Sequence, residues 1–536
     1  MNIRHALARW GLLCILIVPP LAAQEPARVD LGGALEANGD AERYLRVLQL
    51  LGKVPAHPVS VRPWNRAEVR TLLPSAAHPW KDRFAAKPRT TSRWTLLRTQ
   101  VRLTANSTLP EGNEPVWFGR GLTVDAAAGV RTSLGPLDIQ IAPYAFVAQN
   151  ASFSLTPNGL TGDGAMRDAR FSGNIDVPQR FGTSAYSRID PGHSRIAVDN
   201  RYVSAGLSTA PMAWGPARDE PLVVGPNGGG FPHLFIGTGT PWPVGIGRVH
   251  VKMIAGRLEQ SQWSPVQNGY SSRFAAGLVG TFLPRGIPGL ELGATRFEHR
   301  FWIPGVFNLK NVTRPLTGIF NNFTSGINQG ENGYASLFFR WAAAPRGFEV
   351  YGEYGREDYT GNTRWLILKP DDLGNLLLGM QRAVLASNGQ VRVYRAELVN
   401  AELSSNERGQ RGFTTPIPPY THGGTLQGHT INGRFLGSAT AYGGAGWRIA
   451  TDRYTTRGRR TFTLERQLLK DWLPVAAPAE GRAPEVRYAV RGEWMRFGAG
   501  DRERGMTLGL SYTLNHKTER GSDAVNVQAG VRWRGW

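Results

Sequence analysis

The chain has 536 residues, with 62 Lys and Arg against 41 Asp and Glu, which gives a formal net charge of +21. Hydrophobic residues make up 41% of the total and aromatic residues 10%, so there is enough apolar material for a core, and wholesale disorder is excluded. The single cysteine excludes an internal disulfide framework and any cysteine-rich zinc or iron–sulfur module. The positive charge indicates an anionic partner: nucleic acid, a membrane surface or an acidic polymer.

Residues 1–23 follow the pattern of a secretory signal peptide. Arg4 and Arg9 precede the apolar run 10–21, and a Leu-Ala-Ala sequence ends the segment at Ala23. The run is shorter than the ~20 apolar residues that a membrane-spanning helix needs, which disfavours a permanent N-terminal anchor. We therefore predict that the protein is exported, and export removes nucleic acid from the expected partners.

A helical pattern follows in the next part of the chain. The apolar residues of 41–51 recur on one helical face. Asn65 with Glu68 three residues later is the pattern of a helix N-cap pair and predicts a short second helix. A third short helix is predicted over 79–86. We assign residues 24–92 to a small N-terminal helical subdomain.

From residue 93 onward the apolar period changes to two, as in strands with one apolar and one polar face. The segments are about 9–12 residues long, which fits a tilted membrane-spanning strand better than the ~5–6 residues usual in soluble sheets. Clear examples of this alternation are 97–104, 486–494, 506–515 and 525–533. Two architectures have this pattern: a soluble β-sandwich or propeller, and a transmembrane β-barrel.

The connections favour the barrel. Short turns alternate with long insertions, which is typical of periplasmic turns and extracellular loops. Outer-membrane barrels usually end on an aromatic residue, and this chain ends at Trp536, although Trp536 is out of phase with the apolar face that holds Trp533. About 25 residues per strand and connection predict about 18 strands for residues 93–536. The long insertions are 151–193, 209–246, 301–331 and 404–435.

Short motifs add a family resemblance. They are 212–216 (MAWGP), 396–400 (AELVN), and 420–422 (YTH) followed by 427–430 (QGHT). Their order, together with the early helices, resembles the Wzi-type capsule-assembly proteins of the Gram-negative outer membrane. The sequence departs from the family pattern at His429, where the family more often carries an aromatic residue such as tyrosine.

The resemblance implies an all-β fold: an antiparallel transmembrane barrel of about 18 strands in a Gram-negative outer membrane, with the helices of 24–92 at its periplasmic end. It also implies a lectin-like, non-enzymatic function, the binding and anchoring of capsular or related acidic exopolysaccharide at the cell surface. We expect a monomer without a cofactor. Besides the polysaccharide, its expected partners are outer-membrane lipid and lipopolysaccharide, and the barrel-assembly machinery during biogenesis.

Candidate polysaccharide-binding residues are arginines, which form bidentate bonds to carboxylates, and aromatic or histidine residues of the motifs. Each has a structural alternative: lumen arginines pair with lumen acids such as Glu493, and a Trp-Gly-Pro sequence forms a rigid turn. Two of the candidate residues are histidines seven positions apart, which matches no standard zinc pattern. The candidates are Trp214, Tyr420, His422, His429, Arg434, Arg408 and Arg411.

Motifs for common enzymes are absent from the sequence: there is no Gly-x-Ser-x-Gly elbow, no His-Glu-x-x-His helix and no P-loop. We therefore predict that the protein is not an enzyme. Two alternatives stay open at this stage, a porin-like passive channel and a surface enzyme that acts on lipid or polysaccharide.

Overall fold

A computed structural model gives the structure of the chain. It describes residues 33–72, 94–112, 114–266, 271–321, 330–344, 346–357, 367–368, 370–371, 374–402, 418–470, 483–498 and 502–535. The predicted signal peptide, the predicted helix over 79–86 and Trp536 lie outside the described residues, as does the predicted boundary between residues 92 and 93. No helix in the described ranges is long and apolar enough to cross a membrane.

The described residues contain few helices and many strands. The helices are α1 Asp40–Leu50, α2 Arg66–Thr71, α3 Leu309–Val312 and α4 Arg314–Asn321. The first strands are β1 Val61–Arg62, β2 Thr95–Asn106, β3 Gly121–Leu134, β4 Leu137–Ile141, β5 Tyr144–Ala148, β6 Tyr186–Asp190, β7 Arg195–Asp199, β8 Val203–Ser208, β9 Ala213–Trp214, β10 His233–Thr238, β11 Trp242–Pro243 and β12 Gly247–Glu259. The others are β13 Ser272–Pro284, β14 Leu290–Phe301, β15 Glu331–Ala343, β16 Phe348–Glu357, β17 Gly374–Leu385, β18 Val391–Asn400, β19 Thr430–Ile431, β20 Arg434–Phe435, β21 Ala445–Thr455, β22 Gly458–Lys470, β23 Glu485–Phe497, β24 Glu503–Leu514 and β25 Ala524–Arg534.

The wall is a closed antiparallel barrel, which confirms the predicted fold class and the predicted number of about 18 strands. β2 closes the ring by pairing with β3 on one side and β25 on the other, with Leu103 opposite Val531 in the last pair. Two strands of the wall are built from two shorter strands in line, β4 with β5 and β6 with β7. Pro143 and Pro191 stand at these interruptions, because proline has no N–H to donate to a strand ladder.

The outer face of the wall is apolar and the inner face is polar. On β24, Leu508 and Leu510 point outward and are exposed, whereas Ser511 and Thr513 are buried in the lumen. Trp533 lies on the exposed outer face of β25. In a transmembrane barrel the exposed apolar face contacts lipid, so this belt and the closed ring place the protein in a Gram-negative outer membrane.

Two of the predicted long insertions are wrong in part, because they contain wall strands. β6 lies within 151–193 and β10 lies within 209–246. These strands have only 5 and 6 residues, so their alternation is too short to stand out in the sequence. The insertion 301–331 contains α3 and α4, and residues 403–417 lie outside the described part of the chain.

The segment 33–72, which we call the N-terminal plug, packs inside the barrel at the end that carries the short turns. α1 confirms the helix predicted over 41–51, and its Leu48 packs in one buried cluster with Val393 and Tyr454 of the wall. The capping box of Asn65 and Glu68 confirms the predicted start of α2. The plug lies at the end of the barrel that carries the short turns, which is the periplasmic side in outer-membrane barrels.

Two long loops fill the lumen from the opposite, extracellular end. We call 209–232 the first inner loop and 418–444 the second inner loop. β9 of the first inner loop pairs with β1 of the plug, with Trp214 opposite Val61, so the plug and this loop meet inside the barrel. The largest buried cluster of the described residues contains residues from both loops and from the inner face of the wall. The lumen is therefore a packed core at this level.

Candidate functional site

A single wall carboxylate holds the first inner loop in the lumen. Glu397 accepts hydrogen bonds from the backbone N–H groups of Arg218 at 2.6 Å, Asp219 at 2.9 Å and Glu220 at 3.1 Å. The hydroxyl of Tyr351 donates a fourth bond to it at 2.7 Å. This glutamate belongs to the motif 396–400, so the structure gives that motif a positioning role.

The Trp-Gly-Pro turn of the first inner loop is fixed from the other side by the plug. Arg62 donates from Nη2 to the carbonyl oxygens of Gly215 at 2.9 Å and Ala217 at 2.7 Å. Trp214 is fully buried, and its ring lies 6.1 Å from that of Phe297 in an edge-to-face arrangement. The candidate Trp214 is therefore a core residue of the packed lumen.

The second inner loop contributes three further candidates, all buried. The Tyr420 hydroxyl donates to the carbonyl oxygen of Leu222 at 2.5 Å, and its ring centroid lies 5.2 Å from that of His429. Burial lowers the pKa of His429 to about 4, so the ring is neutral, and Nε2 donates to the carbonyl oxygen of Val223 at 2.6 Å. His422 accepts through Nδ1 from the backbone N–H of the residues two and three positions on, at 3.0 and 2.8 Å. Tyr420 and His429 thus join the two inner loops to each other, whereas His422 stabilises a turn within its own loop.

An aromatic group with an arginine lies nearer the extracellular end. We call Trp117, Phe181, Tyr186, Trp263 and Arg434 the mouth cluster. Phe181 is its centre: its ring is stacked 4.6 Å from Tyr186, and it lies 4.9 Å from Trp117 and 5.4 Å from Trp263. The guanidinium of Arg434 lies 4.9 Å from the ring centroid of Trp117 and 5.7 Å from that of Phe181, within the range of cation–π attraction.

Several arginines around the mouth cluster have no carboxylate partner within the described residues. Arg434 donates to the carbonyl oxygen of Val116 at 3.1 Å, and Arg180 donates to that of Asn150 at 2.6 Å. Arg167, which is half-buried, also makes no ion pair in the described part of the chain. Burial lowers the pKa of Arg434 to about 10, and it therefore still carries its charge at neutral pH.

Arginines at the periplasmic end behave differently, because acids surround them. Asp40, at the start of α1, lies 2.7 Å from Arg459 Nη1 and 3.1 Å from Arg534 Nη1. Those arginines and Arg532 lower the pKa of Asp40 well below its usual range, although burial acts in the opposite direction and is the largest influence. Arg459 also pairs with Glu493 at 2.7 Å. Arg459 and Arg534 at the plug end thus have carboxylate partners, whereas Arg180 and Arg434 at the extracellular mouth have none among the described residues.

No protein-family model and no curated protein matches the chain. One similar solved structure is Wzi of Escherichia coli, described as an outer-membrane protein involved in group 1 capsule assembly and as a carbohydrate-binding β-barrel. It is 14% identical, with a TM-score of 0.60, and the match covers 93% of this chain and 99% of that chain. The chain has a Wzi-like fold.

Other solved barrels also match. OprD of Pseudomonas aeruginosa is 9% identical with a TM-score of 0.37, over 82% of this chain and 92% of that chain. OccAB2 of Acinetobacter baumannii is 8% identical with a TM-score of 0.40, over 83% of this chain and 98% of that chain.

Within this Wzi-like fold the predicted site residues are distributed over two levels. Trp214, Tyr420 and His429 lie in the packed lumen, and Arg434 lies in the mouth cluster. His422 lies at the edge of the second inner loop, while Arg408 and Arg411 lie outside the described residues. No group of His, Cys, Asp and Glu in the described ranges is arranged to hold a metal ion.

Arginines on the lumen face of the strands pair with lumen acids, as the structural alternative for these residues predicts. Arg102 on β2 lies 2.7 Å from Asp125 and 2.9 Å from Glu114. Arg487 on β23 lies 2.8 Å from Glu465. These pairs neutralise the inner face of the wall.

Trp117 and Trp263 belong to no motif that is visible in the sequence. Trp117 lies between β2 and β3, and Trp263 lies between β12 and β13, so only the closed ring brings them together. The one available signal was a tryptophan in each of two polar connections.

Proposed function

We propose that the protein is a non-enzymatic outer-membrane barrel that binds acidic exopolysaccharide, such as capsule, at its extracellular mouth and anchors it to the cell surface. The observation that carries the proposal is the set of arginines without carboxylate partners around the mouth cluster. In the described residues these are Arg167, Arg180 and Arg434.

The chemistry of an acidic glycan matches this set. Uronic-acid carboxylates accept paired, charge-assisted hydrogen bonds from guanidinium groups, and such bonds are about twice as strong as neutral ones. Among these arginines Arg167 is half-buried, and in the mouth cluster Tyr186 is half-buried, so a polymer reaches these two side chains first. Tyr186 offers part of a ring face to a sugar, and the stacked Phe181 holds that ring in place.

The packed lumen supports a tether in preference to a channel. The plug and the first inner loop are joined inside the barrel by the β1–β9 pair and by the bonds from Arg62. The plug and this loop therefore fill one side of the lumen, beside a cavity of about 290 Å³ whose lining includes Asp40 of the plug and Val116 near the mouth cluster. The likeness to a carbohydrate-binding barrel, Wzi, agrees with this proposal.

Retention of defined polymers by the purified protein tests the proposal. The full chain in detergent is immobilised, and polygalacturonate or uncharged dextran of similar length is passed over it. We expect retention of polygalacturonate that weakens as salt is raised, because exposed charge pairs are screened. Equal retention of both polymers, or of neither, would contradict the proposal.

A cellular experiment adds a separate readout. A strain without the protein should still make its acidic polymer but release more of it into the medium. Loss of synthesis in that strain would contradict an anchoring role. Turnover of the polymer by the purified protein would instead identify an enzyme.

A further inference from the structure

One part of the outer wall is hidden from lipid. On β13, Ala275 and Val279 belong to the core inside the lumen, so Phe274 and Ala276 point outward, because side chains alternate along a strand. Outward residues of a membrane-spanning strand contact lipid. Phe274 and Ala276 are nevertheless each only 1% exposed. Another part of the protein therefore covers the wall here.

The cover is the extracellular connection between β14 and β15, described over 302–321, which we call the outer flap. Trp302 and Val306 of the flap pack in one cluster with Phe274. The ring of Phe307 also lies 5.8 Å from that of Phe274, edge to face. The flap thus folds back over the outside of the barrel, on the extracellular half of β12, β13 and β14.

Charged residues of the wall lie under the flap. On β14, Phe297 faces the lumen core, so Glu298 and Arg300 face outward. A charge on the lipid-facing surface of such a barrel costs up to about 2–4 kcal/mol, depending on depth. Arg300 Nη1 lies 2.6 Å from Glu331 Oε1 on the neighbouring strand, so the wall itself neutralises part of this charge.

Glu298 is paired on the wall with Arg296 at 2.6 Å, and the flap adds a further cation to this group. Arg314 of α4 lies 3.2 Å from Glu298 and also pairs with Glu331. Arg300 donates to the side-chain oxygen of Asn311 at 3.0 Å. These contacts fix the flap to the wall and remove the polar patch from the lipid-facing surface.

The other face of the flap is apolar and has no cover among the described residues. Its exposed fractions are 46% for Ile303, 47% for Phe307, 77% for Leu309 and 44% for Leu316. This face continues the lipid-facing belt, whose nearby member Leu337 on β15 is 67% exposed.

The height of the belt shows what the flap adds. On β25 the outward apolar residues run over 525–533, whereas on β14 they run only over 290–294 before the charges begin. Without the flap, the apolar belt on β14 stops about two outward residues lower than on β25. The flap places apolar side chains at the missing level.

We propose that the outer flap is a membrane-interface element that seats its apolar face in the outer leaflet of the membrane. Ile303, Phe307, Leu309 and Leu316 contact the acyl chains, and the exposed Lys310 lies at the level of the phosphate-bearing headgroups. Amphipathic elements bind membranes in this way, through buried apolar area together with charge attraction. The flap thereby completes the belt and fixes the height of this wall in the bilayer.

Contact with brominated lipid tests the proposal. Full-length protein with Cys14 replaced by serine receives one cysteine, by Leu309→Cys or Leu316→Cys, and carries an environment-sensitive fluorophore there. It is reconstituted in vesicles of phosphatidylcholine and phosphatidylglycerol with or without brominated acyl chains. The reference for lipid contact is Leu337→Cys on the belt, and the control is Arg520→Cys, exposed between β24 and β25 at the same end of the barrel.

We expect brominated chains to quench the labels at 309 and 316 by a fraction similar to that at 337, and to leave the label at 520 unchanged. Labels at 309 and 316 that behave like the label at 520 would overturn the proposal. All four positions are exposed, so the folded barrel tolerates the substitutions, and circular dichroism checks this. The assay contains no polysaccharide, so its result is independent of the proposed function.

Discussion

Two extracellular connections of this barrel fold to opposite sides of the same wall. The first inner loop, 209–232, enters the lumen, and the outer flap, 302–321, lies on the outside. In the loop, backbone groups are bonded by charged side chains, as in the three N–H groups held by Glu397. In the flap, side-chain ion pairs face the wall and apolar side chains face outward.

The difference shows that the hydrogen-bonding groups available on each side of the wall determine how a connection can fold there. A polar lumen supplies carboxylates and guanidinium groups to an irregular backbone, which is tolerated at membrane depth only where it is buried in protein. The lipid side supplies no hydrogen-bond partners. A segment there must hide its polar groups against the protein and present an apolar face.

The largest effect is expected from removing the carboxylate that holds the first inner loop. Glu397→Ala leaves three backbone N–H groups and the hydroxyl of Tyr351 without their acceptor, at about 1–3 kcal/mol for each group that stays buried. We expect a lower melting temperature in detergent and, because the loop leaves the lumen, measurable conductance in planar bilayers. The matched control is Glu402→Ala, an exposed acid two residues beyond the end of β18. A variant that melts and conducts like the wild type would show that Glu397 does not hold the loop.

A medium effect is expected from pH, through Glu220 of the first inner loop. Burial raises the pKa of Glu220 from 4.5 to about 7, against the opposing attraction of Arg448 at 3.3 Å. Since the folded state binds the proton more tightly than the unfolded state, stability should fall as pH rises from about 4.5 to about 7, by at most about 3 kcal/mol.

Melting temperatures of the wild type and Glu220→Gln at pH 5 and pH 8 test this prediction. The variant should lose the part of the pH dependence that comes from Glu220, and it should be the more stable of the two at pH 8. Glu402→Gln serves as the control and should keep the wild-type dependence. If the melting temperature of the wild type changes between pH 5 and pH 8 by the same amount as that of Glu220→Gln, the raised pKa of Glu220 is refuted.

The smallest effect on stability is expected on the outside of the wall. Glu331→Gln removes the carboxylate that Arg300 and Arg314 share, whereas Glu298 keeps its pairs with Arg296 and Arg314, so we expect a loss of about 1 kcal/mol or less. The melting temperature should change little, but the flap should separate from the wall. The measurement is quenching of a label at 309 by brominated lipid, which should become weaker. Glu519→Gln, an exposed acid at the same end, is the control, and equal quenching in both variants would contradict a clamping role for the ion pairs.

Local signals in the sequence predicted local structure well. The helical spacing of 41–51 predicted α1, and the Asn65–Glu68 pair predicted the cap of α2, because both depend on residues a few positions apart. Alternation predicted the barrel because long strands with two different faces repeat many times. The six-residue β10 was missed, since so short a strand shows too few alternations.

The candidate site was harder to predict, because it depends on residues that are far apart in the chain. Trp117 and Trp263 meet Phe181 only through the register of the closed ring. The same limit applies to Trp214, whose sequence motif does not show that the turn points into the lumen. The outward fold of 302–321 was likewise hidden, because it depends on charges that β14 and β15 place on one face.

The central claim is that acidic polysaccharide binds at the extracellular mouth. Its most direct test is a titration of purified protein with polygalacturonate. Three proteins are compared: the wild type, a double variant that carries Arg167→Gln and Arg434→Gln, and the single variant Arg457→Gln. Arg457 is exposed on a periplasmic turn, so its variant removes a positive charge at the opposite end of the barrel. Loss of charge-assisted bonds worth about 1.5–3 kcal/mol predicts binding at least about tenfold weaker in the double variant and unchanged binding in Arg457→Gln. Equal affinity of all three proteins, or no binding by the wild type, would contradict the account.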